Sequence, residues 1–583
     1  MPKGNVSYLD KLRNTQDRRD LSRLLGFRPS ALTAIIYLTP SDQKYCTFEI
    51  PKKNGGTRII KSPNPKLKKL QTHLANLLYA CLAEIEKEQR SKPVSYGFRE
   101  KRSIADNAKN HKRQRYVLNL DIEDFFPSFN FGRVRGFFLK NKHFNLEEEV
   151  ATTIAQIARD GEALPQGSPC SPVISELIGQ VFDVRLLRFA KKYGVSYSRY
   201  ADDITFSTNR KDFPDALAKQ DPDDPSIWTL ESDLVDEIER AGFKINFGKT
   251  RMHHRGSRQM VTGLVVNEKV NIRSEYYRKA RAMCDSLFQS GSYFRSFISS
   301  DTDQEPQPEF TNNLSPLEGI LSHIYAITQS EERREIADQR KHPRAIRTLY
   351  RRFLFYKYCI ALSMPLIITE GKTDPVYLRE AISQRDKYHP TLGEKRGGVF
   401  EFRVRFFNYE GQAHEIMGLR GGTGDLKSIP LDYRHNLQEK KGKRKSFKHK
   451  PMNCPVILVL DNDDGLKHIT STVRTNFNVT ITTTSTDTFY HITENLYLIK
   501  TPEISGKDCI EDLFPQRWMR MRLNGKSFGR RRQINPEMEY GKEIFAKSVV
   551  KPNARYIDFS GFDPLLDRIV AVLDDYDRRR GAK

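Results

Sequence analysis

The chain has 583 residues, room for roughly three to four domains of about 150 residues each, so a peptide-like or disulfide-stapled fold is excluded. Lys and Arg number 97 against 73 Asp and Glu, a formal charge of +24 that points to a polyanionic partner, nucleic acid first. The seven cysteines (Cys46, Cys81, Cys170, Cys284, Cys359, Cys454, Cys509) form no CxxC pair and no His/Cys cluster, so neither a disulfide framework nor a zinc site is expected. No apolar run approaches the roughly 18–20 residues of a membrane span, and the opening MPKGNVSYLDKLRN lacks the apolar core of a secretion signal. A cytoplasmic protein is the expectation.

Over 9–38 apolar residues recur at helical spacing (Leu21, Leu24, Leu25, then Leu32, Ile35, Ile36), broken at Gly26 and Pro29, which predicts two short helices. TFEIPKKNGGTRIIKSP has the form of a hairpin, 47–50 and 57–60 flanking a Lys-rich Asn-Gly-Gly turn, and 66–88 reads as an amphipathic helix. Between 116 and 265 short β-rich runs (YVLNLDI, SYSRYADDITFS, VTGLVV) alternate with helical stretches at 173–193 and 230–241, an α+β pattern. Residues 299–316 are polar, carry three prolines and predict a loop, whereas 317–362 is helical and very basic. At Pro365 the pattern restarts with the buried-type strand PLIITEG, a helix over 374–383 and a second buried strand, CPVILVLDNDDG, ending in carboxylates. That rhythm is βαβ with a parallel sheet, and the basic stretch 438–450 is a loop inserted before its second strand.

Asp121 ends the run YVLNLD, and Asp202 and Asp203 sit in SRYADDITFS, where strand formers on both sides set the acidic pair at a hairpin tip. Three converging carboxylates suit two Mg²⁺ ions roughly 3.5–4 Å apart, the arrangement that activates a hydroxyl and holds a triphosphate in nucleotidyl transfer. A lone DD pair is most often a turn; the order LDIEDFFPSF, LPQGSPCSPVISEL, YADDITFS carries more, because it resembles the palm motifs of reverse transcriptases. The resemblance implies that Asp121, Asp202 and Asp203 bind the catalytic metals and that Phe126 is the steric gate favouring deoxynucleotides. It further implies that Gln166 and Gly167 form the loop against the nascent pair, and that Arg58, with Lys52 and Lys53 nearby, meets the incoming triphosphate. SYGFRE resembles a second fingers motif and adds Arg99.

NAKNH, from Asn107 to His111, and VTG at Val261, Thr262 and Gly263 resemble motifs of bacterial retron reverse transcriptases. By that resemblance these residues bind RNA, and the enzyme copies its own structured non-coding RNA from an internal guanosine 2′-OH, leaving RNA-linked single-stranded DNA (msDNA). The basic helical stretch then becomes a thumb in which Arg344, Arg347, Arg351 and Arg352 track the RNA backbone. The His- and Cys-rich segments of group II intron enzymes are absent from this sequence.

The last third carries Glu370 at the end of one apolar strand and Asp461 and Asp463 at the end of another; in an open α/β sheet both lie at the edge where ligands bind, and they could share a divalent cation. Residues 364–583 resemble the TOPRIM domain of primases, topoisomerases and nucleases of the overcoming-lysogenization-defect type. The resemblance implies metal roles for Glu370, Asp374, Asp461 and Asp463, a late acid in Glu511 or Asp512, and a transition-state cation in Lys542 or Lys547, with Mg²⁺ or Mn²⁺ as cofactor. Neither a topoisomerase tyrosine module nor a primase zinc domain is recognisable, which favours phosphodiester cleavage.

The expected architecture is an α+β right-hand polymerase followed by an α/β TOPRIM domain with a parallel sheet: N-terminal helices and fingers over 1–115, palm over 116–268, basic thumb over 269–360, nuclease-like domain over 361–583. As a family, retrons imply antiphage defence of toxin–antitoxin type, the RNA–DNA product restraining the nuclease. The implied partners are the cognate RNA and its cDNA, dNTPs and a nucleic-acid target of unstated kind; a homo-oligomer is compatible. Two alternatives are a reverse transcriptase for retrohoming or diversification with a DNA-processing C-terminal domain, and an RNA scaffold with both acidic sites silent, against which the intact triad speaks.

Overall fold

The computed structural model describes residues 7–51, 56–89, 94–298, 307–419, 422–438, 446–503, 508–530 and 534–582. The chain separates into two compact units, Met1–Arg273 with Ile327–Glu332, and Ser274–Ala326 with Arg333–Lys583. The break falls at Arg273, so the stretch read as a separate thumb over 269–360 belongs for the most part to the same unit as the C-terminal sheet.

In the first unit β1 (Tyr45–Pro51) and β2 (Thr57–Pro63) pair antiparallel with Ile50 opposite Arg58. Lys52 and Lys53 lie outside the described residues. Helix α1 (Pro65–Gln89) buries Leu67, Leu70, Leu74, Leu78 and Leu82 at i, i+3/i+4 spacing. Helix α2 (Ile104–Lys109) opens with a capping box between Ser103 and Asp106. The central sheet contains β3 (Tyr116–Glu123), then, after the long helix α3 (Ser171–Tyr193), β4 (Ser196–Tyr200), β5 (Asp203–Thr208), β6 (Lys244–Ile245) and β7 (Arg251–His254). Its order is β4-β5-β3-β6, with β7 also on β3, all antiparallel. Leu118, Leu120, Ile204 and Phe206 of the sheet share a core with Ile174, Phe182 and Leu186 of α3. A short hairpin, β8 (Met260–Val261) and β9 (Leu264–Val265), follows.

Asn107 and His111, expected to bind RNA, are both buried against this sheet. His111 uses its two ring nitrogens on Ser207 Oγ (2.7 Å) and Ser198 Oγ (2.6 Å), and Ser198 Oγ also donates to Asn107 Oδ1 at 2.6 Å. Burial pushes the imidazole down to about 3, so it is neutral. Their work is to clamp α2 to β4 and β5.

In the second unit, α4 (Ser274–Ser290), α5 (Leu314–Gln329) and α6 (Ala345–Phe355) precede the sheet. The stretch predicted as a loop over 299–316 contains a strand, Gln307–Thr311, paired with Tyr293–Ile298, and α5 begins already at Leu314. Phe310 opposite Phe294 supplies a cross-strand aromatic pair, and Pro308 is tolerated in a two-stranded ribbon that has only edges. The sheet holds β10 (Leu366–Thr369), β11 (Arg405–Phe406), β12 (Val456–Leu460), β13 (Tyr490–Thr493) and β14 (Leu496–Lys500) in the order β11-β10-β12-β14-β13. All its pairings are parallel except that of the edge strand β13. Helix α7 (Asp374–Gln384) follows β10, and every residue of β10 and β12 is buried, as continuous apolar runs covered on both faces require. No helix among the described residues is long and apolar enough to cross a membrane.

His111→Ala strips the buried Ser207 hydroxyl of its His111 partner and Ser198 of one of two, and should lower the unfolding free energy in urea by about 1–3 kcal/mol, with the RNA affinity of the folded protein unchanged. RNA affinity lost at full folding would return His111 to the binding surface.

Candidate functional site

The register of β3 on β5 sets Asp121 directly opposite Asp203, and only Ala201 and Asp202 intervene between Tyr200 and Asp203, which pair across the β4–β5 hairpin. Ala201 accordingly takes a left-handed φ of 55°. The Ile122 N–H donates to the Asp202 carbonyl at 3.0 Å, fixing the turn to β3. Burial, then the charges of Asp202 and Asp121, raise the Asp203 carboxyl to about 7. Burial and Asp121 raise Asp202 as well, against Lys249 and Arg58, whose charges lower it. Mutually repelling hard oxygens on strand ends are a donor set that a divalent cation satisfies.

Lys249 is the residue that sequence reading missed. Its Nζ donates to both oxygens of Asp121 at 2.8 and 3.0 Å, and the contacts of the site raise its pKa. Strand β6 pairs with Ile122 and Glu123, and the Asn246 N–H donates to the Asp121 carbonyl at 2.8 Å, so the turn Phe247–Lys249 lies against the acid. The available signal was NFGKT, turn residues closing a short strand. Arg58 stands exposed on β2. The Lys61 N–H donates to the Gln166 carbonyl at 2.8 Å, and Gly167, at φ 120°, approaches β2 so closely that a Cβ would lie 2.7 Å from the Lys61 carbonyl oxygen. Of the two phenylalanines, Phe125 is the core ring, edge-on to Phe129 and stacked with Phe243, whereas Phe126 is half-buried and meets Phe98 at 5.8 Å. Arg99 turns inward to Glu176 at 3.2 Å instead of facing a nucleotide.

The remaining RNA-binding expectations fare unevenly. Val261 is core, while Thr262 and the exposed Gly263 form a two-residue turn with φ of 47° and 80° whose Thr262 hydroxyl donates to the Ile104 carbonyl at 3.4 Å. Arg347 is 8% exposed and donates to the Glu415 carbonyl at 3.2 Å; Arg351 forms a fork with Asp432 at 2.9–3.1 Å. Arg352 donates to Asn436 and lies over Phe288 and Phe447. Those guanidiniums serve packing within the second unit, because α6 turns that face toward Glu415, Asp432, Asn436 and Phe447. Arg344 is the residue preceding α6.

A second carboxylate cluster lies at the carboxyl ends of β10 and β12. Glu370 Oε2 accepts the Asp461 N–H at 3.3 Å, Asp461 Oδ1 accepts the Ile510 N–H at 2.9 Å, and Asp374 Oδ2 accepts the Gly371 N–H at 2.7 Å. Burial, then Glu511, raise Asp374 to about 7; burial, then Asp374 and Glu511, hold Asp461 well above the usual carboxylate range. Glu511 is buried and receives Lys542 Nζ at 2.9 and 3.0 Å, and Asp461, Cys509 and Glu511 have ligand atoms within 4.8 Å of one another. Asp463 Oδ1 caps the turn Asp464–Leu466, accepting the Gly465 N–H at 2.8 Å. Asp512 pairs with Arg530, and Lys547 with the exposed Glu543. Glu511 and Lys542 therefore join the cluster; Asp512 and Lys547 do not.

A carboxyl raised in the folded state binds protons that the unfolded chain does not bind between about pH 4 and 7, so the ion-free protein loses stability as pH rises through that window. Asp203→Asn should therefore melt above the parent at pH 8 in EDTA, the gap narrowing as pH falls from about 7 and closing near pH 4. A gap independent of pH would contradict the electrostatic reading of the triad.

A family model described as reverse transcriptase (RNA-dependent DNA polymerase) matches residues 50–275, ending within two residues of the break at Arg273. Retron Mx65 reverse transcriptase of Myxococcus xanthus is 33% identical over 284 residues, 45% of this chain and 61% of that protein. Retron Mx162 reverse transcriptase of the same organism is 33% identical over 267 residues, 42% of this chain and 52% of that protein. The chain thus spans between about half and three fifths of those two relatives. Retron Ec86 reverse transcriptase of Escherichia coli is 32% identical over 272 residues, 46% of this chain and 77% of that protein. With that share of a relative covered at that identity, the chain belongs to the retron reverse transcriptase family.

Proposed function

We propose that the first unit is an RNA-directed DNA polymerase that copies a cognate structured RNA into RNA-linked single-stranded DNA, and that the second is a metal-dependent TOPRIM nuclease restrained by that product in antiphage defence. The observation that carries the polymerase half is the Asp121–Asp203 register with Asp202 in the intervening turn. Asp121, Asp202 and Asp203 would hold the two divalent cations, which supply the charge that activates a hydroxyl and neutralises a triphosphate. Arg58, whose charge is felt at Asp202, would bind the phosphates of an incoming nucleotide. Gly167 lets the Gln166–Gly167 loop lie directly against the β2 main chain, and the half-exposed Phe126 is the ring available to test the sugar. Lys249 neutralises Asp121 and can pass to an anionic phosphate once cations take its place.

The nuclease half rests on Glu370, Asp374, Asp461 and Glu511 meeting at the carboxyl ends of two adjacent parallel strands, with Lys542 as the local cation. These residues suit Mg²⁺ or Mn²⁺, and the target is a phosphodiester.

The test is purification with the native flanking locus, followed by DNase, RNase and debranching treatment of the copurifying nucleic acid. The expected product is a DNase-sensitive, RNA-attached species, absent from Asp202→Asn/Asp203→Asn and retained in Glu370→Ala, with the latter relieving growth arrest when the product is disturbed. RNA alone from all three proteins refutes the polymerase half; arrest that persists in Glu370→Ala refutes the nuclease half.

A further inference from the structure

Beneath the Ala201–Asp202 turn lies a group of charges outside the constellation already described. Arg199, on β4, is fully buried. Its Nε and Nη2 donate to the two oxygens of Asp183 at 2.7 and 2.9 Å; Nη1 donates to Glu176 Oε1 at 2.9 Å and to the main-chain carbonyl of Ala201 at 3.0 Å; Nη2 reaches Glu176 Oε2 at 3.5 Å. The donors of the fork are thereby all directed at acceptors. Glu176, itself fully buried, also accepts Ser95 Oγ at 2.6 Å and Arg99 Nε at 3.2 Å, and Arg99 pairs with Glu86.

The segment that supplies Ser95 and Arg99 runs beside β4, the Arg199 N–H donating to the Val94 carbonyl at 3.0 Å and the Tyr96 N–H to the Arg199 carbonyl at 2.9 Å. It brings Gly97 under the turn. A Cβ on Gly97 would lie 2.4 Å from the Ala201 nitrogen and 3.1 Å from the Tyr200 carbonyl carbon, main-chain atoms that cannot swing aside. On the opposite side Gly179 of α3 leaves room for the guanidinium, since a Cβ there would lie 2.6 Å from Nη2.

A buried ion cluster is a poor source of stability, because desolvation of each charge offsets most of the attraction. What it does supply is geometry. One of its acceptors is the carbonyl of an alanine held at φ 55°, a conformation alanine adopts only where its surroundings impose it, and that carbonyl begins the peptide leading into Asp202.

We infer that Arg199, anchored by Glu176 and Asp183 and closed from below by Gly97, is a positioning residue for the acidic pair: it fixes the 201–202 peptide plane and so the direction in which Asp202 and Asp203 face Asp121. The inference rests on the polymerase reading above and adds to it the device that holds the turn.

The test is steady-state extension of oligo(dT) on poly(rA) by the full chain with dTTP and varied Mg²⁺. Arg199→Lys keeps the charge but cannot span Asp183, Glu176 and the Ala201 carbonyl at once. Its kcat should fall about 100-fold, the cost typical of a displaced reacting group, while the KM for dTTP changes by less than about threefold. The Mg²⁺ concentration for half-maximal rate should rise, and Mn²⁺ should recover part of the loss. Gly97→Ala, which leaves every charge in place, should show the same kcat and Mg²⁺ pattern. Parental kcat and Mg²⁺ dependence in either folded variant overturns the inference, as does activity that merely follows the folded fraction measured by circular dichroism. Unfolding of both variants assigns the cluster to stability and also overturns it. A parent no more active than Asp203→Asn is a different result: it removes the polymerase reading, and the positioning role with it.

Discussion

Like charges held together are the constraint from which the rest of this molecule is arranged. Asp121 and Asp203 face each other across one strand pair, with Asp202 in the adjoining turn, and burial together with their mutual repulsion lifts Asp203 to about 7. Such a cluster is costly in the ion-free state, and a strand register cannot slip by one residue without sending every side chain to the other face. The sheet therefore commits both strands: Leu118, Leu120, Ile204 and Phe206 fill the core while the acids stand at the strand ends. The second unit repeats the constraint on a different sheet, where parallel strands β10 and β12 end in Glu370 and Asp461 beside Asp374 and Glu511.

Each cluster carries its own ammonium, and the two are set differently. The Lys249 side chain is 60% exposed and forks onto the one oxygen pair of Asp121, so it can leave when cations or phosphates arrive. Lys542 is 38% exposed and lies on the buried Glu511, and although burial works against its charge, the carboxylates around it raise its pKa above the ordinary lysine value. The first is an exposed charge resting on a single carboxylate; the second is a half-buried charge held by several.

Local features were readable in the sequence because their cause is local. YADD between strand formers demands a tight hairpin, and the two buried apolar runs with acids at their ends demand strands covered on both faces. Which way a side chain turns was not readable, because that depends on elements distant in the chain. His111 and Asn107 are polar and look accessible, yet Ser198 and Ser207 on β4 and β5 receive them. Arg347 and Arg351 have the spacing of a phosphate-tracking face, but Asp432 and the Glu415 carbonyl lie on that side of α6. Asp463 matched a motif and caps a turn, while Glu511, one of two adjacent acids, is the one buried with Lys542. Lys249 went unseen because only the β3–β6 pairing brings it to Asp121.

The two carboxylate clusters are proposed to bind divalent cations independently of each other. Mn²⁺ titration of the full chain, followed by electron paramagnetic resonance, measures this directly in the parent, in Asp202→Asn/Asp203→Asn and in Asp374→Asn/Asp461→Asn. Two classes of bound Mn²⁺ are predicted, each lost in one variant and retained in the other. Unchanged binding in both variants, or loss of both classes together in either folded variant, contradicts the account.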